Sequence, residues 1–178
     1  MRATRLETDR ITLEPLRVEH ADELAPVLDD PALHEFIGGR PASAARLRAR
    51  FTRQVAGRSP DGRDLWLNWV IRLQATGAAV GTVQATVRSR EATPTADLAW
   101  VIATTHQGQG LAKEAAGLVA RWLNEQGVER LGARIHPDHQ ASMAVARWIG
   151  LAPTATRVAG EIQWQSQKEP HGVRADNH

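Results

Sequence analysis

The sequence has no cysteine and no tyrosine, and only two of its 178 residues, Lys113 and Lys168, are lysines. The absence of cysteine excludes disulfides, thiolate metal sites and a cysteine nucleophile, and we expect no metal centre. No apolar run approaches the roughly 20 residues that a membrane-spanning helix needs. The N-terminal segment also has no apolar core of the kind found in a signal peptide. We therefore expect a cytoplasmic protein without a membrane partner.

The residues that are present favour a globular protein. Apolar residues make up 42% of the chain, and charges of both signs nearly cancel, with a net charge of +2. A chain of this length most simply forms one domain, which we assign to residues 1–178, with the polar segment 167–178 as a flexible tail. The small net charge gives no indication of a nucleic-acid partner.

The most informative stretch runs from Asp97 to Trp122. A short apolar run, 98–103, is followed by a polar turn with two glycines, 104–110, and then by apolar residues at the spacing of an amphipathic helix. The pattern predicts a strand, a glycine turn and a helix. Backbone N–H groups without partners lie at the start of such a helix, and the helix dipole adds partial positive charge there. The unit therefore predicts a site for a phosphate or diphosphate.

The turn itself, Gln107 to Ala112, distinguishes between kinds of nucleotide site. A Walker loop requires Gly-Lys-Ser or Gly-Lys-Thr at its end, and Lys113-Glu114 does not supply it. A dinucleotide fingerprint requires a third glycine where Lys113 stands. The remaining pattern, Gln-x-x-Gly-x-Ala, resembles the acetyl-CoA-binding turn of the GNAT superfamily of N-acetyltransferases.

Hydrophobic periodicity assigns the other elements. The predicted strands are 10–17, 65–73, 79–88, 95–103, 128–135, 151–157 and 161–165. The predicted helices are 18–28, 43–56, 109–126 and a short one after Ser142. This order of elements is similar to that of the GNAT fold.

Four segments in chain order carry the resemblance to one branch of that superfamily, which includes the ribosomal-protein N-terminal acetyltransferases. They are 8–13, 69–71 with 76–81, 106–115, and 136–142 with 148–151. The resemblance implies an α/β (α+β) fold with a mixed, mostly antiparallel central sheet of six to seven strands and about four flanking helices. It also implies that the sheet is splayed between strands 4 and 5.

The resemblance implies acetyl-CoA as the acetyl donor. The diphosphate is expected on the N–H groups of the glycine turn, and the pantetheine arm along the main chain of Val101 to Ala103. A backbone N–H near Val101 or Ile102 would polarise the thioester carbonyl. His139 stands where the branch usually has an asparagine that hydrogen-bonds the pantetheine arm. The expected cofactor-binding residues are Val101, Ile102, Ala103, Gln107, Gly108, Gln109, Gly110, Leu111, Ala112, His139 and Ser142.

Asp97 and Ser142 are the expected catalytic residues. Strand 95–103 leads towards the expected position of the acetyl group, so we assign Asp97 as the general base, acting directly or through a water. Glu35, His106 and His139 are alternatives for that role. The tyrosine that many GNAT enzymes place on the last helix is absent, and Ser142 or a water is expected to donate the hydrogen bond to the leaving thiolate.

The acceptor amine is expected to contact Glu35, Trp66, Asn68 and Trp100. Alternation along 65–73 places Trp66 and Trp69 on opposite faces, and the pattern does not decide which one lies in the core. The arginines of helix 43–56 indicate a solvated face, or alternatively a rim that attracts an acidic substrate or the phosphates of CoA.

The leading functional hypothesis is an acetyl-CoA-dependent N-acetyltransferase that moves the acetyl group directly to an amine within a ternary complex. The acceptor would be a protein N-terminal α-amine or a small-molecule amine. The alternative is a catalytically weak GNAT-fold module that binds acyl-CoA as a sensor or regulator. DNA binding through helix 43–56 is a third and weaker hypothesis. A homodimer formed through the closing strands is also expected.

Overall fold

The computed structural model describes residues 1–37, 43–88 and 93–167. Its strands form one sheet of eight, in the order β1-β2-β3-β4-β5-β6-β8-β7. The strands are β1 (Leu6–Glu7), β2 (Ile11–Pro15), β3 (Asp64–Leu73), β4 (Ala79–Arg88), β5 (Thr95–Ile102), β6 (Arg130–Ile135), β7 (Leu151–Val158) and β8 (Glu161–Ser166). The helices are α1 (His20–Leu28), α2 (Pro31–Ile37), α3 (Ala44–Gln54), α4 (Leu111–Glu125) and α5 (Gln140–Trp148), with a short 3-10 helix over Thr104–His106.

The mixed, mostly antiparallel sheet predicted from the sequence is confirmed, with two additions. The sheet has eight strands rather than six to seven, because the two-residue strand β1 pairs with β2. There are five helices rather than about four in the described residues, because Pro31 begins a separate short helix after α1. Residues 168–178 of the predicted tail lie outside the described residues. No helix in the described ranges is long and apolar enough to cross a membrane.

The two faces of β3 belong to different layers. Leu65, Leu67, Trp69 and Ile71 alternate into the main core, which α4 covers from one side of the sheet. Trp69 is fully buried, and its Nε1 donates to the carbonyl of Thr4 at 2.7 Å. Val70, on the opposite face, joins a second core with α1 and α3. Because Trp66 shares the parity of Val70, it lies on the α3 face, and Trp69 is the core tryptophan.

Strands β5 and β6 are parallel and diverge after three residue pairs, and we call this point the fork. The last pair is Asp97↔Gly132, although the strands continue to Ile102 and Ile135. On its opposite edge β6 pairs with β8, from Gly132↔Gln165 to Ile135↔Ile162, while the edge that faces β5 stays unpaired beyond Gly132 in the described residues. The splay predicted between the fourth and fifth strands is therefore confirmed. These strands are β5 and β6 here because β1 adds one to the count.

Gly81 allows β4 and β5 to approach each other near the end of the splay. A Cβ atom at Gly81 would stand 2.1 Å from the carbonyl oxygen of Val101, a backbone atom. We predict that Gly81→Ala lowers the free energy of unfolding by about 1–3 kcal/mol, the usual range for overpacking. Chemical denaturation measures the change.

Gly117→Ala is the matched control for Gly81→Ala. Gly117 lies within α4, and the nearest atom to a Cβ there is Nε1 of Trp148 at 3.7 Å, an ordinary contact. This variant should be more stable by about 0.5–1 kcal/mol, because alanine favours a helix interior over glycine. Equal effects of the two substitutions would contradict the close approach at Gly81.

Candidate functional site

The glycine turn leaves the start of α4 open. Gly108 and Gly110 have φ angles of 75° and 79°, a region that side chains rarely adopt. Gly110 is the N-cap residue of α4, and no side chain caps the helix. Apart from the chain neighbours, no atom of the described residues lies within 4 Å of a Cβ placed at either glycine. The first-turn N–H groups therefore face open space, which is the arrangement that binds phosphates at helix N-termini.

The N-terminal strands hold this turn in place. Arg10 donates from Nη2 to the carbonyl of Gln109 at 2.9 Å and from Nη1 to Glu114 at 3.1 Å. The hydroxyl of Thr8 donates to the same carboxylate. No role for Arg10 or Glu114 was predicted from the sequence, because only folding brings Arg10 next to the turn and to Glu114. The turn is thus fixed from outside, and its inner side stays open.

Gln107, the first residue of the motif, forms a hydrogen bond within the protein through its side chain. Its side-chain amide donates from Nε2 to the carbonyl of Ile102 at 3.0 Å. This bond ties the turn to the end of β5.

The backbone of β5 divides by alternation between its two neighbours. The N–H of Ala103 donates to the carbonyl of Val80 at 2.8 Å, in register with the β4–β5 ladder. In an antiparallel ladder every second residue bonds the same neighbour, so Val101 and Ala103 direct their amides to β4. Trp100 and Ile102 direct theirs into the splay, beyond the last pair with β6. Of the three residues expected along the pantetheine arm, only Ile102 has its N–H on the open edge.

A cavity of about 430 Å³ lies at the fork between β5 and β6. Four of the expected site residues line it: Asp97, Trp100, His139 and Ser142. Polar and aromatic residues that were not predicted as site residues also line it, among them Phe36, Asp64, Gln84, Thr86, Arg88, Arg134 and Glu161. The fork therefore brings together the cleft residues from β3, β4, β5, β6, β8, α2 and α5.

The other expected acceptor residues are distributed differently. Trp66 and Asn68 line a second cavity of about 210 Å³, which shares Gln84 and Thr86 with the first. Glu35 is exposed on α2 and lines neither cavity. Trp100 borders the fork but packs partly against the main core, on the face opposite to Trp66.

Asp97 is held at the fork by a cation and by the shape of the strand beside it. Arg88 donates from Nη2 to Oδ2 of Asp97 at 2.8 Å. A Cβ atom at Gly132 would lie 2.7 Å from Oδ1 of Asp97, so the carboxylate occupies the space that a side chain on β6 would take. The ion pair fixes the direction of the Asp97 carboxylate.

His139 caps α5 and borders the cavity. Its Nδ1 accepts from the N–H of Ser142 at 3.2 Å, and its ring lies 4.5 Å from that of Phe36 between centroids. Because Nδ1 accepts, the neutral ring carries its proton on Nε2 and can donate there. An asparagine at an N-cap likewise accepts through one atom and can donate through another. His139 thus has the same two hydrogen-bonding capacities as the asparagine of the related branch.

Glu161 was missed because the closing hairpin brings it back to the fork. It begins β8, and β8 pairs with β6. In the described parts of the chain no cation lies within ion-pair distance of its carboxylate. His106, an alternative base in the sequence analysis, does not line the cavity. Within the residues described, no group of three or more His, Cys, Asp or Glu side chains is arranged to hold a metal ion.

The cap at His139 gives a prediction for pH. Burial, and secondly the neighbouring His136, lower the pKa of His139 below its ordinary value. The contribution of the His139 cap to the free energy of unfolding is therefore complete above about pH 6.5. It is lost as the pH falls through the folded-state pKa, because protonated Nδ1 no longer accepts a hydrogen bond. Between pH 7.5 and 5 the wild type should lose about 1 kcal/mol relative to His139→Asn, the usual value of an N-cap.

Urea unfolding of both proteins across that pH range measures this difference. His20, whose pKa is also lowered by burial, is common to both proteins and cancels in the comparison. Parallel pH profiles for wild type and His139→Asn would contradict the assigned cap.

Solved structures share this architecture along almost the whole chain. An N-terminal acetyltransferase of ribosomal subunit protein L7/L12 from Salmonella typhimurium has a TM-score of 0.74 at 16% identity, covering 91% of this chain and 98% of that one. An acetyltransferase of the GNAT family from Bacillus anthracis has a TM-score of 0.72 at 14% identity, covering 91% and 97%. The aminoglycoside acetyltransferase AAC(6')-Ib, in complex with coenzyme A, has a TM-score of 0.71 at 17% identity, covering 89% and 95%. At these identities the likeness shows a shared fold.

The sequence itself provides the family assignment. No curated protein sequence matches the chain. Residues 10–152, however, match the family described as Acetyltransferase (GNAT) domain, and this range covers most of the chain, including the glycine turn and the fork. The protein therefore belongs to the GNAT acetyltransferase family.

Proposed function

We propose that the protein is an acetyl-CoA-dependent N-acetyltransferase that moves the acetyl group directly to an amine within a ternary complex. The observation that carries this proposal is the succession of three features along one path of the chain: the uncapped glycine turn, the open edge of β5 and the carboxylate of Asp97 at the fork. Ile102 and Asp97 are five residues apart, or about 17 Å along a strand. This path has an anion site at one end and a basic group at the other.

The residues of the path fit acetyl-CoA. The N–H groups from Gly108 to Ala112 would hold the diphosphate, because no side chain caps them. The N–H groups of Trp100 and Ile102 would pair with the pantetheine amides, as a sheet edge pairs with an added strand. His139 would donate from Nε2 to the arm or to the acetyl oxygen.

The acceptor must reach the fork as a neutral amine. An α-amine with a pKa of about 8 is roughly 10% neutral at pH 7, whereas a lysine ε-amine near 10.4 is below about 0.1%. The difference is about 3 kcal/mol, so an α-amine requires much less of the base. We assign Asp97 to take the proton that the amine loses as it attacks the thioester carbonyl.

The remaining groups have orienting roles in this scheme. Arg88 fixes the direction of the Asp97 carboxylate through its 2.8 Å hydrogen bond. Ser142, in the first turn of α5, would donate to the departing thiolate. A thiolate with a pKa near 8.5 leaves with little assistance, so the chain does not need a tyrosine for this step.

Two relatives named in the comparison act on amines of different kinds, one on a ribosomal protein N-terminus and one on aminoglycosides. We propose an α-amine acceptor, on a protein N-terminus or a small molecule. The alternative of a weakly catalytic acyl-CoA-binding module is favoured by one observation, the engagement of Asp97 with Arg88. The homodimer stays a prediction, for which the outer edge of β7, the last strand of the sheet, is a suitable surface.

Gly110→Trp tests the cofactor path. The indole should fill the open space at the start of α4, so we predict at least a tenfold loss of affinity for acetyl-CoA by calorimetric titration. Gly127→Trp is the matched control, because Gly127 also has a positive φ and, chain neighbours aside, no atom of the part of the chain that the structure describes lies within 4 Å of a Cβ there. It lies at the other end of α4, about 22 Å away. Equal loss in both variants, or none in Gly110→Trp, would contradict the site.

Asp97→Asn tests the base. We predict that kcat for transfer to an amine falls about 10²–10⁴-fold, while the affinity for acetyl-CoA changes less than twofold. Glu161→Gln is the comparison variant, because Glu161 lines the same cavity. If kcat instead falls only in Glu161→Gln, the base is Glu161. Binding of acetyl-CoA by the wild type without turnover of any amine in a broad screen would favour the acyl-CoA-binding module.

A further inference from the structure

The cavity next to the fork is lined by two arginines. It measures about 210 Å³ and lies between the C-terminal half of α3 and the exposed parts of β3 and β4. Arg50, Arg53 and Gln54 come from α3, and Trp66 with Asn68 form part of its floor on β3.

Among the described residues, Arg50 and Arg53 have no acidic partner, and neither has Arg46 of the same helix. Arg48 forms an ion pair with Asp22 of α1. In the described parts of the chain, no carboxylate lies within ion-pair distance of Arg50 or Arg53. The guanidinium of Arg50 instead lies 5.6 Å from the centroid of the Phe51 ring. Arg50 and Arg53 are both exposed, and two neighbouring guanidinium groups at the border of a cavity can bind a negatively charged ligand through charge-assisted hydrogen bonds.

The register of the sheet gives the distance from this cavity to the fork. Trp66, Thr86 and Asp97 are directly opposite one another on β3, β4 and β5. Adjacent strands are about 4.8 Å apart, so the main chain of Trp66, which lines the cavity with the arginines, is about 10 Å from that of Asp97, the assigned base. Gln84 and Thr86 of β4 line both cavities, so the two cavities adjoin each other on one face of the sheet.

The charges of the two ends are opposite in sign. Three carboxylates, those of Asp64, Asp97 and Glu161, line the fork together with Arg88 and Arg134, which leaves one net negative charge where the acceptor amine would react. Arg50 and Arg53 line the neighbouring cavity. An acceptor with an ammonium group at one end and a carboxylate at the other would match both ends.

We infer that Arg50 and Arg53 form an anion-binding subsite for the acceptor, and that the enzyme selects amines carrying a carboxylate about 10 Å from the reacting nitrogen. This inference rests on the proposed acetyl transfer. An extended peptide advances about 3.4 Å per residue, so an acidic side chain near the third position of an N-terminus reaches the arginines. A small amino acid of similar length carries the same chemistry.

The test measures kcat/KM with matched acceptors. The peptides Ala-Ala-Glu-Ala-Ala-amide and Ala-Ala-Gln-Ala-Ala-amide differ only in the carboxylate, and 6-aminohexanoate with 6-aminohexanamide form the small-molecule pair. We expect at least a tenfold preference for the carboxylate in one pair or both. The pair that shows it identifies whether the carboxylate comes from a peptide or from a small molecule.

The arginines are then tested by variants. Arg50→Gln/Arg53→Gln should raise KM for the preferred acid about tenfold or more and leave kcat and the neutral acceptor within twofold. Arg50→Glu/Arg53→Glu should prefer a peptide with lysine at the third position, a reversal that a purely structural role would not produce. Arg46→Gln is the matched control, because Arg46 lies on the same helix and lines neither cavity. It should behave as the wild type.

The outcomes separate this inference from the proposed function. Transfer to both members of each pair at equal rates would leave acetyl transfer intact and overturn the anion subsite. A preference that persists in Arg50→Gln/Arg53→Gln would also overturn it. Absence of transfer to every acceptor, with acetyl-CoA bound, would contradict the proposed function and the subsite together.

Discussion

The end of pairing between β5 and β6 is the constraint on which the site depends. A parallel pair that continued beyond Asp97 and Gly132 would satisfy its backbone groups internally and leave no cleft. Because no described strand pairs with β5 on this side beyond Asp97, Trp100 and Ile102 keep amides on an open edge. At the last pair, the missing side chain of Gly132 leaves room for the Asp97 carboxylate. The end of pairing thus creates the channel for a donor, and Gly132 beside it allows the position of the assigned base.

The elements around the fork act as its supports. Arg10 and Glu114 hold the glycine turn from the side of the N-terminal strands, and the amides of the turn stay open on the other side, without a capping side chain. His139 caps α5 at the opposite wall. The site therefore combines a rigid surround with open hydrogen-bonding groups in the middle, and this keeps the cost of ordering a ligand low.

Local patterns predicted the parts of the site that are local in sequence. The glycine turn from Gln107 was predictable because its amides and its glycines belong to one strand–turn–helix unit. The role of Glu161 was not, because a hairpin returns it from the far end of the chain. Glu35 was expected in the acceptor cleft, but it lies outside both cavities, because α2 is a short helix on which that side chain is exposed. The short strand β1 has too few residues to produce a periodic pattern.

Binding of a donor along the splayed edge depends most directly on the amides of β5 that face it. NMR-detected hydrogen exchange of the wild-type protein, with and without acetyl-CoA, measures them one by one. We predict that the amides of Trp100 and Ile102 become protected at least tenfold on addition of acetyl-CoA, whereas Ala103, already bonded to Val80, changes little. Saturating acetyl-CoA with unchanged exchange at Trp100 and Ile102 would contradict a donor bound along the splayed edge.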